Sequence, residues 1–211
     1  MDGVIVDSNP AHKVALKQFC KKYGRDLSET DLREKIYGRR NEDWLVNVFG
    51  PLSKEQLDAY ADEKEALFRE IYDADIVAVK GLPEFLRAVK DAGIATAIAT
   101  SAPYANVEFT LRKTGLGAFF DTTLDSSHVS KGKPDPEVYI KAAAALGYDP
   151  RNSVVFEDSI AGVEAGKNAG SKVVGITTTH TKDELAGTDY MIDDFSDLDP
   201  KELITKLFPE E

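Results

Sequence analysis

Beyond Gly81 the chain alternates short runs of β-branched and small apolar residues with amphipathic stretches of helical length, and this alternation restricts the fold more than any other feature. Residues 94–100, 119–124, 153–156, 172–176 and 190–192 read as strands. Between them, residues 82–92, 104–114, 136–146 and 160–169 read as helices, with Gly93, Gly147 and Gly170 standing where helices should stop. Strand-helix units of this length are crossovers rather than hairpins, so they predict a parallel sheet with helices on both faces.

Residues 10 to about 75 have a different texture. Ala11, Val14, Ala15, Phe19 and Tyr23 fall at helical spacing before Gly24. Ser28 with Asp31 offers a helix start ahead of Leu32 and Ile36, Asn41 another ahead of Trp44, Leu45 and Val48, and Ser53 a third ahead of a long run through Phe68 to Ile71. The reading is therefore an α/β chain: a Rossmann-like parallel-sheet core from residues 1–8 and 77–211, interrupted by an inserted all-helical domain at 9–76. Cys20 and Trp44 are expected in the helical core.

Bulk properties exclude several functions. A net charge of -11 argues against nucleic acid, which is held through clustered Lys and Arg. No apolar run approaches the roughly 20 residues of a membrane span, and the first residues lack the basic and apolar regions of a signal peptide. These features predict a cytoplasmic location and, by default, a monomer. The single cysteine rules out an internal disulfide or a Cys-based zinc site. The acid-rich tail from 189 to 211 reads as a solvated surface.

In an open parallel sheet, ligands collect at the carboxyl ends of the strands. There the sequence places Thr100 and Ser101, then Glu157, Asp158 and Ser159, with Lys133 ahead of a helix and Asp2 near the start. Hydroxyl and ammonium donors suit phosphoryl oxygens, and carboxylates suit a hard cation such as magnesium.

Four segments carry a resemblance: Asp-Gly-Val-Ile-Val-Asp-Ser at 2–8, Ala-Thr-Ser at 99–101, Gly-Lys-Pro-Asp-Pro at 132–136 and Val-Phe-Glu-Asp-Ser at 155–159. In this order they resemble the haloacid dehalogenase-like phosphatase superfamily, in the branch with a helical cap after the first motif that includes β-phosphoglucomutases. The resemblance implies a Mg2+-dependent phosphatase acting on a small phosphorylated metabolite such as a sugar phosphate, with the cap closing over the site. The family pattern is Asp-x-Asp-Gly. Matching its second half to Asp2-Gly3 puts the nucleophilic Asp immediately before Met1 and the first core strand before that, so a chain starting at Met1 is expected to turn over poorly.

By the same resemblance Asp2 is the general acid and base, Thr100, the Ser101 backbone and Lys133 hold the phosphoryl group, and Asp2 (through its carbonyl), Asp158 and Glu157 bind Mg2+. His12, Arg39, Arg40 and Lys64 are candidate substrate contacts from the helical insert. Each has a plainer alternative. Glu157 and Asp158 can be a helix N-terminal signal, Thr100 a strand end, Lys131 a solvated rival to Lys133, His12 structural, and Arg39 with Arg40 a solvated helix start. His128 and His180 read as loop residues. Two other functions stand beside the phosphatase. One is a β-phosphoglucomutase-type phosphomutase, suggested by Ser8, His12 and Lys64 but departing from the mutases at Asn41, where they carry an arginine. The other is a non-catalytic phosphate-binding or interaction protein.

Overall fold

The computed structural model describes residues 1–36 and 39–209, and the chain divides into two units, residues 8–76 and residues 1–7 with 77–211. In the first, the helices are α1 (Asn9–Lys22), α2 (Glu29–Asp31), α3 (Asn41–Phe49) and α4 (Lys54–Tyr72), with a π-helical turn at Leu32–Ile36. Ser28 and Ser53 each close a capping box, with Asp31 and Gln56 as the reciprocal side chains, so two helix starts are set locally. The run expected to continue as one helix from Ser28 instead passes from α2 into the wider turn, which keeps both Leu32 and Ile36 buried.

α1 and α4 pack together around Phe19, whose ring meets Tyr60 at 5.6 Å and Trp44 at 6.1 Å. Cys20 and Trp44 are buried here, as expected. Beside them runs a polar chain. The Trp44 indole N–H donates to Asn41 Oδ1 at 2.8 Å, Asn41 Nδ2 donates to Glu65 Oε1 at 2.8 Å, and the buried Lys64 ammonium pairs with Glu65.

The α/β unit contains α5 (Leu82–Asp91), β1 (Ala97–Ala99), α6 (Tyr104–Thr114), β2 (Thr122–Leu124), α7 (Glu137–Leu146), β3 (Val154–Glu157), α8 (Ile160–Asn168), β4 (Lys172–Ile176), β5 (Tyr190–Ile192) and α9 (Pro200–Leu207). All ladders are parallel, as the alternation requires. β1 pairs with β2 in the register Ala97 to Thr122, and β3, β4 and β5 form a second sheet with Val155 opposite Val173 and Gly175 opposite Met191.

Three sequence expectations are corrected. The strand expected over 94–100 forms a ladder only at Ala97–Ala99, because its partner, expected over 119–124, is itself a strand only at Thr122–Leu124. The residues before Thr122 are a 3-10 turn, Gly117–Phe119, and an Asp121 side chain that accepts from Thr96 N at 2.8 Å. The tail is not simply solvated: Asp199 caps α9 by accepting from Lys201 N and Glu202 N, both at 2.9 Å, and Leu203 and Leu207 are buried where α9 meets α5. Within α9 the one acidic residue, Glu202, is exposed while Leu203 and Leu207 are buried, an amphipathic helix that the charge count of the tail concealed.

Among the described residues no strand pairs with the remaining edge of β1 or of β3. Thr96 O accepts from Asp121 N, Thr100 N donates to Leu124 O, and Lys172 N donates to Ser153 O. Because bonding direction alternates along a parallel strand, Ala97, Ala99, Val154 and Phe156 turn their backbone groups the other way. They line an apolar cavity of about 660 Å³, with Met1 and Phe85 also on its wall. Phe85, Phe156 and Phe195 meet there with ring centroids 5.3–5.6 Å apart.

Candidate active site

Residues 1–6 form a tight turn at the carboxyl ends of the strands. The Met1 carbonyl accepts from Ile5 N at 2.7 Å, and Gly3 N donates to Val6 O at 2.8 Å. Gly3 has φ +68°, and a Cβ on it would lie 2.0 Å from Asp158 Oδ2. Only glycine satisfies both the backbone and the contact. Glu157 ends β3 and Asp158 follows it, and both are buried, with 4 % and 8 % exposure.

Glu157 is the most heavily bonded group of the cluster. One oxygen, Oε1, accepts from the Lys133 ammonium and from the Tyr139 hydroxyl; the other accepts from Ser159 Oγ at 3.1 Å. Burial would raise the Glu157 pKa, but the Lys133 charge and the donated hydrogen bonds outweigh it, so the carboxyl sits below its ordinary value. Asp158 goes the other way. Burial first, then the Glu157 charge, push it up to about 6, although the Thr179 hydroxyl donates to its Oδ2. The Met1 nitrogen is buried within electrostatic reach of Lys133, Glu157 and Asp158.

Thr100, 4 % exposed, stands at the carboxyl end of β1, where its hydroxyl accepts from Ala102 N at 3.1 Å; Ser101 follows, half-buried. The α/β unit thus brings Lys133, Glu157 and Asp158 together beside the Asp2-Gly3 turn. The remaining candidates belong to the helical unit and have partners inside it. The His12 ring stacks on Phe68 with centroids 3.6 Å apart, Arg40 Nε donates to Asp43 at 3.2 Å, and Lys64 pairs with Glu65. Arg39 N donates to Ile36 O at 3.1 Å.

The loop after β4 was missed by sequence reading. Thr178 donates to the Gly3 carbonyl, Thr179 to Asp158, and His180 Nδ1 lies 2.9 Å from the Asp158 carbonyl oxygen. His180 is a loop residue, as expected, and its ring meets the Asp158 backbone. The rule that singled out Thr100 and Glu157, position at a strand's carboxyl end, applies equally to 177–180. Tyr139 had no such signal, since it lies in the first turn of α7 and not at the end of a strand.

A model of the haloacid dehalogenase-like hydrolases matches residues 1–170. The chain belongs to that family. Among known proteins, this hydrolase is 34% identical over 182 residues to a phosphorylated carbohydrates phosphatase of Thermotoga maritima, covering 83% of this chain and 82% of the relative. It is 28% identical over 206 residues to the β-phosphoglucomutase of Bacillus subtilis, covering 94% and 88%. Its fold matches the crystal structure of a family IA, variant 3 hydrolase from Entamoeba histolytica with TM-score 0.89 and 30% identity, over 98% and 96% of the two chains.

The donor set suits a hard cation. Asp158 carries a charge that burial and Glu157 both disfavour, and a divalent ion beside it would offset both. Among the described residues no three His, Cys, Asp or Glu side chains are gathered for a metal. Backbone carbonyls, waters or substrate oxygens would have to complete the shell.

Proposed function

We propose that this hydrolase is a Mg2+-dependent phosphatase of small phosphorylated metabolites, sugar phosphates foremost, working through an aspartyl-phosphate on a residue joined to the Met1 nitrogen. The observation that carries the reading is the buried cluster of Lys133, Glu157 and Asp158 around the Asp2-Gly3 turn. A residue attached to Met1 enters that cluster directly. The relatives named as phosphatases point to the same substrate class.

In this reading the attached carboxylate attacks phosphorus and the ester oxygen leaves, taking a proton from Asp2. Asp2 then removes a proton from the water that cleaves the acyl phosphate, restoring the carboxylate and releasing inorganic phosphate. Thr100, the Ser101 amide and Lys133 hold the non-bridging oxygens. Asp158, the Asp2 carbonyl and Glu157 are the candidate holders of Mg2+, which when bound neutralises charge on the phosphoryl group.

The phosphomutase alternative draws on Ser8, His12 and Lys64 and on the mutase-named relative. It is disfavoured by Asn41, whose amide is committed to Trp44 and Glu65. The test is a chain carried upstream through an apolar strand ending in Asp, assayed with Mg2+ on sugar phosphates and a chromogenic ester. Release of phosphate supports the phosphatase. Bisphosphate-dependent conversion of a hexose 1-phosphate to the 6-phosphate would replace it with the mutase, and inertness toward every substrate would leave a phosphate-binding role.

A further inference from the structure

Lys133 ends in a rotatable ammonium on a four-carbon stem, yet a phosphoryl-binding lysine must present its charge at one place. Two contacts hold it. Its Nζ donates to Glu157 Oε1 and lies 4.9 Å from the centroid of the Tyr139 ring. The same Tyr139, 7 % exposed on α7, donates its hydroxyl to that same Glu157 oxygen. On the opposite side Glu157 Oε2 takes Ser159, and a Cβ at Gly162 would fall 2.1 Å from the carboxyl group, so the backbone of α8 closes the space behind.

We propose that Tyr139 is a positioning residue: its ring and hydroxyl lock Glu157 and Lys133 into one clamp that sets where the lysine charge meets a phosphoryl oxygen. The inference rests on the phosphatase reading for what the clamp serves, but not for the clamp itself. Tyr139 acts through Glu157 and Lys133 and does not touch the reacting atoms. The hydroxyl is the part that matters, because it meets the same Glu157 oxygen as the Lys133 ammonium, and without it that oxygen loses one of the two donors that fix where the lysine sits.

Tyr139→Phe keeps the ring and removes the hydroxyl, and two measurements separate the clamp from its purpose. In 15N-labelled protein the Lys133 ammonium, assigned by its loss in Lys133→Arg, should give a resolved signal that broadens beyond detection in Tyr139→Phe. Glu157→Gln, which leaves Tyr139 in place, should broaden it too. Calorimetric affinity for inorganic phosphate in the presence of Mg2+ should fall about tenfold in Tyr139→Phe while the melting temperature changes little; Tyr139→Leu, which also removes the ring, should melt lower. An unchanged ammonium signal in Tyr139→Phe overturns the clamp. A broadened signal with unchanged phosphate affinity overturns its positioning role. If the unmutated chain binds no phosphate, the phosphatase reading falls, and the positioning role falls with it.

Discussion

Replacing Asp158 with Asn should make the metal-free chain more stable and remove its response to magnesium. The carboxyl is 8 % exposed and titrates at about 6 against an ordinary 3.8. Burial is the largest cause and the adjacent Glu157 charge the next, with the Thr179 hydrogen bond only partly compensating. At about 1.4 kcal/mol per pH unit, holding this group ionised costs the folded state about 3 kcal/mol. The folded carboxyl keeps its proton more tightly than the unfolded one, so stability declines as pH rises from about 4 to about 6, and the whole cost is present at pH 7. Asn has the same shape, carries no charge and can still accept from Thr179. The variant should therefore exceed wild type by about 2–3 kcal/mol at pH 7 in chelator, about 4–12 °C in melting temperature for a chain of this length, and match it near pH 4. Urea titrations across pH 4–8, with chelator and with excess Mg2+, measure this directly. Magnesium should raise the wild-type midpoint and leave the variant unmoved. A variant less stable than wild type at pH 7 in chelator, or a gap that persists at pH 4, would refute the electrostatic reasoning.

Three other substitutions probe local structure. Gly162→Ala should destabilise by about 1–3 kcal/mol despite the better helix propensity of alanine, because its Cβ would sit 2.1 Å from the Glu157 carboxyl; a urea midpoint at or above wild type would count against that packing. Ser53→Ala should cost about 1 kcal/mol by opening the capping box on α4, seen as faster amide exchange at Gln56. Asn41→Ala strands the Trp44 indole N–H and removes one of the donors to Glu65 Oε1, which keeps Lys64, at a cost of about 1–3 kcal/mol. Trp44 is the single tryptophan of the chain, so its emission reports the change without further labelling.

Local chemistry was legible along the chain. The strands at 172–176 and 190–192 were readable to the residue, because each is a short apolar run bounded by turn residues. Helix α9 was not, since averaging over an acidic tail hides two leucines four residues apart. β1 proved shorter than its apolar run because a strand ends where its partner ends, and the partner is set by residues more than twenty positions away.

The same division runs through the site. Sequence by itself determined the parallel α/β class, the helical insert, and the placing of Thr100, Glu157 and Asp158 at strand ends and of Lys133 ahead of a helix, because these follow from periodicity and short motifs. Tertiary structure alone decided that Lys133 and Tyr139 share one oxygen of Glu157, that Thr179 and His180 brace Asp158, and that Lys64 pairs with Glu65 inside its own unit. It also decided the opposite pKa shifts of two adjacent carboxylates. Neighbours in sequence share composition but not surroundings, and burial and Coulomb energies depend on distances that only the folded chain sets.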